Sequence, residues 1–307
     1  MTDTALYDTT REAQARYRLG VLLVTVSTLA FSTTGFFTRL ITVDAWTILF
    51  WRGLFGALFI AVYVVWEHRR TTYRVVSAMG WPGGVVMIAS TVTMVAYIPA
   101  LKLTTVANAT LIAATVPFCT ALLAWVWLRE RPTGSALLAS TVAFLGVVVM
   151  MSGSTSAGSR WGDTLAVVAN IAFATAMVVI RRHRAVPMVP AACLSALLGT
   201  IVSMPFASPW AVSATELGYL VFFGFVQMTL GLTLFTLGSR LIPAVATALI
   251  GALDAPLGPW WVWLAFGEVP AAGTFLGGVL VLSAVLGHTL AEARPKATRV
   301  QSRESSR

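Results

Sequence analysis

An aspartate lies in the middle of an apolar run, IGALDAPLGPW, at position 254. An ionised acid at the centre of a membrane helix costs ~2.5–3.5 kcal/mol on insertion scales, so its default reading is functional or paired. Asp254 could take up a proton or a cation. Gly251, Pro256, Gly258 and Pro259 surround it and weaken the backbone ladder there. At such depth that is tolerated only against protein or a water-filled cavity. Arg52 is the opposite charge, in LFWRGLFGAL. Its guanidinium could pair with Asp254, hold a substrate carboxylate through two parallel hydrogen bonds, or snorkel toward the nearer surface. Gln227 and Asn108 offer neutral donors and acceptors inside apolar text, and Tyr97 and Trp51 could line a binding chamber. For the other buried hydroxyls and amides, such as Ser32, Thr91, Thr93 and Asn170, interhelical hydrogen bonding is the expected role. No metal or cofactor is expected: Cys119, Cys193, His68, His183 and His288 lack second ligands at metal spacing.

These groups must be positioned by long apolar elements. The 307 residues are 57% hydrophobic and 11% charged, against about 25% charged in soluble domains. A spanning helix needs ~20 mainly apolar residues. The expected fold is an all-α integral membrane protein with ten transmembrane helices: 19–41, 45–66, 78–101, 104–128, 133–152, 162–180, 188–207, 216–238, 241–266 and 270–291. Polar residues 1–18 and basic residues 292–307 are both expected as mobile cytoplasmic tails. The stretch 153–161, containing GSTSAGS, is expected as a linker loop.

Charge sets the orientation. With the N-terminus inside, only Arg39, Lys102 and Arg160 fall in outer segments, and Arg52 within a span. The rest of the 21 Lys and Arg face inward, which predicts cytoplasmic termini. The net charge of +9 therefore reads as topology and lipid contact rather than nucleic-acid binding.

The chain also repeats. At an offset of 142, Gly20, Leu23, Ala30, Phe31, Thr33 and Arg39 meet Gly162, Leu165, Ala172, Phe173, Thr175 and Arg181. At an offset of 138, Leu103, Leu111, Trp125, Glu130 and Pro132 meet Leu241, Leu249, Trp263, Glu268 and Pro270. Residues 19–152 and 162–291 thus read as two modules of five spans. An odd number forces the second to enter upside down, so the expectation is two inverted five-helix repeats. Inverted repeats are the signature of alternating-access carriers with a site near mid-membrane. Asp254 has Val116 as its counterpart, so the repeat itself does not require an acid. Glu130 and Glu268 are expected to brace turns at opposite faces.

The run AYIPALKLTTVANATLIAATVPFCTALLAWVWLRERP (residues 96–132) and its second copy TLFTLGSRLIPAVATALIGALDAPLGPWWVWLAFGEVP (233–270) resemble the half-repeat of EamA-type permeases in the drug/metabolite transporter superfamily. The first copy carries Arg129 where that family commonly has Gly. The resemblance implies ten helices in two inverted repeats and export of small metabolites or drugs.

The leading expectation is a secondary transporter exporting a small organic metabolite, an amino acid or related compound, with proton coupling through Asp254. The absence of a G-x-x-x-x-G-K-[ST] motif leaves an ion or solute gradient as the energy source. Its partners would be a small-molecule substrate and the bilayer. It would act as a monomer or weak dimer in a bacterial cytoplasmic (inner) membrane. A multidrug efflux carrier is the alternative. A membrane enzyme acting on lipids would need clustered carboxylates or His, and a channel would need a filter-like segment; neither is present in the sequence.

Overall fold

The computed structural model describes residues 3–104, 106–151, 159–267 and 272–293, all helical or in short connections. The first half comprises α1 (Asp3–Ser32), α2 (Thr34–Leu40), α3 (Ala45–His68), α4 (Thr72–Ala78), α5 (Gly80–Leu103), α6 (Val106–Ala113), α7 (Val116–Leu128) and α8 (Gly134–Met151). The second half comprises α9 (Arg160–Arg182), α10 (Val189–Ser203), α11 (Ala214–Phe223), a π-helical stretch Gly224–Leu232, α12 (Thr233–Ser239), α13 (Ala244–Gly251), α14 (Asp254–Phe266) and α15 (Ala272–Ala293). Among the described residues, nine helical segments are long and apolar enough to cross a membrane. The expected span 78–101 is not one of them, although it is helical as α5.

Two expectations are modified. The N-terminal segment expected as a mobile tail belongs to α1, which begins at Asp3; Ala5, Glu12, Ala13, Gln14 and Ala15 are strong helix formers. Two expected spans are each divided. Residues 104–128 break between α6 and α7, and 241–266 break between α13 and α14. The linker residues 153–158, Glu268 and the tail beyond Ala293 lie outside the described residues.

The helices pack across the two halves. Helix α5 lies against α9, and α1 lies against α12 and the π-helical stretch; α3 pairs with α10 and α8 with α15. Lipid tails give helices no hydrophobic reason to associate, so close backbone approach at small residues has to do the work. A Cβ on Gly20 would come within 2.6 Å of Ile242 and 2.8 Å of Leu241. A Cβ on Gly162 would come within 2.6 Å of Thr104 and 2.8 Å of Leu103. These are reciprocal contacts, because Gly20/Gly162, Leu103/Leu241 and Thr104/Ile242 are equivalent positions. Gly146 and Gly277 meet directly, each placed to block a side chain on the other through its carbonyl oxygen.

Caps fix the depth of individual residues. Asp44 caps α3, with its Oδ1 accepting from the amides of Trp46 (2.9 Å) and Thr47 (3.0 Å). An N-cap carboxylate satisfies amides that have no intrahelical partner, and it starts α3 two turns before Arg52. Ser213 and Glu216 form a capping box on α11, and Glu216 also accepts from the Thr42 hydroxyl at 2.6 Å. At the Arg-rich face, guanidinium groups cover helix C-termini. Arg182 donates to the Trp127 carbonyl at 2.6 Å and Arg181 to the Arg240 carbonyl at 3.2 Å. Burial lowers the Arg240 guanidinium pKa from its ordinary value.

Candidate functional site

Asp254 is the first residue of α14, directly after the break that ends α13. Around the break, the amides of Ala252 and Leu253 turn back to the carbonyls of Leu249 and Ile250 at 3.1 and 3.0 Å. Pro256 and Pro259 have no amide hydrogen, so they cannot supply the usual helical donors to the Ala252 and Ala255 carbonyls. A helix N-terminus concentrates partial positive charge, which suits a carboxylate.

Asp254 is exposed. Gly251, three residues earlier, also borders open space, since a Cβ there would meet nothing within 4 Å. The Asp254 carboxylate makes no hydrogen bond or ion pair among the described residues. The Asp254 charge acts on the hydroxyl of Tyr97 on α5, so the two groups lie within electrostatic range. Two predicted site residues from different halves are therefore brought together.

Arg52 and Gln227 form a second station. Arg52 donates through Nη1 to Gln227 Oε1 at 2.7 Å, and its guanidinium lies 5.4 Å from the centre of the Phe223 ring. Its Nε is buried without a partner among the described residues. Arg52 has no ion pair among the described residues, so it is joined to Gln227 rather than to Asp254. Gln227 is buried within the π-helical stretch. π-Bulges occur often at functional sites because they re-aim side chains.

Residues 31–34 link the two stations. Ser32, Thr33 and Thr34 each donate a hydroxyl to the carbonyl three residues earlier, at 2.8, 2.6 and 2.6 Å. Such local bonds compete with the helical ladder, and here α1 gives way to α2. Gln227 Nε2 donates to the Phe31 carbonyl at 2.9 Å and to the Thr34 hydroxyl. From the other side, Trp261 Nε1 on α14 donates to Ser32 Oγ at 2.7 Å. The FSTTG sequence carries the signal for this interruption, whereas Trp261 is not among the expected site residues.

Phe31 and Phe173, equivalent in the two halves, both contact Phe235. Their ring centroids lie 6.2 and 5.4 Å from it. Trp51 is placed elsewhere. Its ring stacks on Phe55 at 5.4 Å, its Nε1 donates to the Pro209 carbonyl at 3.3 Å, and it packs on a cluster containing Phe37, Leu220 and Phe223. Asn108 lies on α6, and its side chain is outside the described residues. Asn170 donates to the Ile112 carbonyl beside the first break. Glu130 lies 3.9 Å from Arg181. Among the described residues no group of three His, Cys, Asp or Glu could hold a metal.

Residues 18–152 and 160–290 match, as two copies, the EamA-like transporter family. A solved structure titled only "Crystal structure of protein" is similar in fold, with a TM-score of 0.70 and 18% identity; the alignment covers 92% of this chain and 99% of that one. No curated protein matches the sequence.

Proposed function

Because the chain belongs to the EamA-like transporter family, and is thus a multi-pass membrane transporter, we propose that it exports a small organic metabolite, an amino acid or related compound, by proton-coupled alternating access. In this reading ten spans form two inverted five-helix repeats in a bacterial inner membrane, with both termini cytoplasmic. The reciprocal Gly20 and Gly162 contacts and the matching helix breaks support the repeat arrangement.

The single observation that carries the reading is Asp254: an acid at a helix break, exposed and without a hydrogen-bond or ion-pair partner among the described residues. In this reading its open side faces the transport cleft. It takes the proton when the cleft faces one side of the membrane and releases it when the cleft faces the other. Arg52 offers a fixed positive charge about 200 residues away in sequence, held by Gln227. Its unpartnered Nε leaves a donor for a substrate carboxylate, and Asp254 supplies the complementary charge for an ammonium group. A substrate carrying both groups suits the pair of stations. The aromatic trio Phe31, Phe173 and Phe235 favours a second reading, efflux of larger apolar compounds.

Flux in proteoliposomes tests the proposal. Amino acid uptake or release driven by a pH gradient is expected from the native protein and absent from Asp254→Asn. Undiminished proton-driven flux in that variant would defeat the role of the acid. Flux of bulky apolar dyes in place of amino acids would select the second reading.

A further inference from the structure

The Arg-rich face holds a cavity of about 470 Å³ where the C-terminal ends of α7 and α9 come together. Trp127, Arg129, Glu130, Arg181, Arg182 and Arg184 line it. Four guanidinium groups therefore face one carboxylate. They are not equally committed. Arg181 and Arg182 each donate to a main-chain carbonyl, and Arg181 lies near Glu130. The side chains of Arg129 and Arg184 are exposed and make no hydrogen bond or ion pair among the described residues.

Arg129 has a further peculiarity. It terminates α7 at φ 55°, ψ 19°, in the left-handed region. Gly267 occupies the equivalent position after α14, at φ 70°, ψ 9°. A side chain at such a position costs roughly 1–2 kcal/mol that glycine avoids. The first half keeps a charged residue at this strained position, and the charge opens onto the cavity.

The wall beside the cavity is apolar. Along α7, Leu122, Trp125 and Val126 are 58%, 54% and 61% exposed, and they end at the half-exposed Trp127 on the rim. Helical spacing of three and four residues puts them on one face. An aromatic ring at the boundary with basic groups just beyond is the arrangement found at a headgroup layer. A ligand filling both parts has an anionic phosphate head and acyl chains that follow α7.

We propose that this cavity binds the headgroup of an anionic phospholipid, with Arg129 and Arg184 as the principal phosphate donors and the exposed face of α7 as the seat of the chains. Basic pockets between membrane helices are suited to such headgroups, and arginine is suited to phosphate through its planar fork of donors. Glu130 lines the same cavity and lies 3.9 Å from Arg181, so four guanidinium groups outnumber the one carboxylate there.

Phosphatidylglycerol added to the purified full-length protein in neutral detergent tests the site, with binding followed by native mass spectrometry and by the shift in Tm. Phosphatidylcholine and soluble glycerol phosphate are the comparison ligands. Phosphatidylglycerol is expected to bind selectively and to raise Tm. The double variant Arg129→Gly/Arg184→Gln is expected to weaken it about five-fold for each charge removed. Because Arg129→Gly relieves a left-handed backbone, its Tm in phosphatidylcholine should be at least that of the native protein, which separates lost binding from lost folding. The control Arg70→Gln/Arg74→Gln removes equal charge from the same face outside the cavity and should leave binding within about two-fold. Equal weakening by both double variants would overturn the proposal in favour of diffuse surface charge. Equal stabilisation by glycerol phosphate, or by phosphatidylcholine, would overturn it too.

Discussion

The two helix breaks occupy the same place in the two halves and do different things. Helices α6 and α7 run over 106–113 and 116–128; α13 and α14 run over 244–251 and 254–266, each boundary shifted by 138 positions. The first break is closed. Thr115 bonds the Ile112 carbonyl through both its amide and its hydroxyl, Asn170 bonds it from α9, and Val116 is buried with Met177, Phe235 and Ala248. The second break is open. Asp254 replaces Val116, is exposed, and has no hydrogen-bond partner among the described residues. The same division holds elsewhere. Buried Gln227 in the π-helical stretch has buried Ala89 as its equivalent, within the uninterrupted helix α5. The two copies share the breaks between α6 and α7 and between α13 and α14, but an acid stands at only the second, and the π-helical stretch that carries Gln227 has no counterpart in α5.

The largest expected effect comes from erasing that asymmetry at the acid. Asp254→Val should reduce proton-driven flux to background. Adding Val116→Asp to that chain should not restore it, because no Gln227–Arg52 station accompanies the first break. Recovery of flux in the double variant would show that the breaks are interchangeable. Next comes Gln227→Leu, which removes the acceptor for Arg52 Nη1. Stranding a buried charge in this way should cost about 3 kcal/mol of stability, read from denaturant unfolding in micelles. A loss under 1 kcal/mol would mean that Arg52 finds water or another acceptor.

Smaller effects test the symmetric part. Gly20→Ala and Gly162→Ala should each cost about 2 kcal/mol by overpacking, and by similar amounts because their contacts are reciprocal. Strongly unequal losses would break the correspondence between the halves. Smallest is Arg129→Gly, which should raise stability by about 1 kcal/mol. Gly267→Arg should lower it by a similar amount; no difference between native and variant unfolding midpoints would remove the strain argument.

Much of this was legible in the chain because a membrane restricts the options so severely. Asp254 and Arg52 stand out as charges in apolar text, Gly251, Pro256, Gly258 and Pro259 mark a weak backbone around the acid, and the 138-residue offset pairs the two halves. The partnership of Arg52 was not legible. Its acceptor, Gln227, lies 175 residues away, and only the π-helical stretch aims that amide at the Phe31 carbonyl and at Arg52. Pairing of Arg52 with Asp254 was an equally good reading on charge alone. The first break was also hidden, since Thr115 and Asn170 are ordinary residues until Asn170 is found donating across helices to Ile112. Trp51 read as a chamber aromatic, but its neighbours Phe55 and Pro209 give it a packing contact in the structure.

The crossing of α8 and α15 at Gly146 and Gly277 has a mechanical meaning. Main chain approaches main chain there, with Met150, Leu280 and Val281 packed alongside, so lengthwise slip of one helix on the other meets backbone. Rocking of one half against the other would make this crossing a fulcrum, and the longest travel would fall on the elements farthest from it.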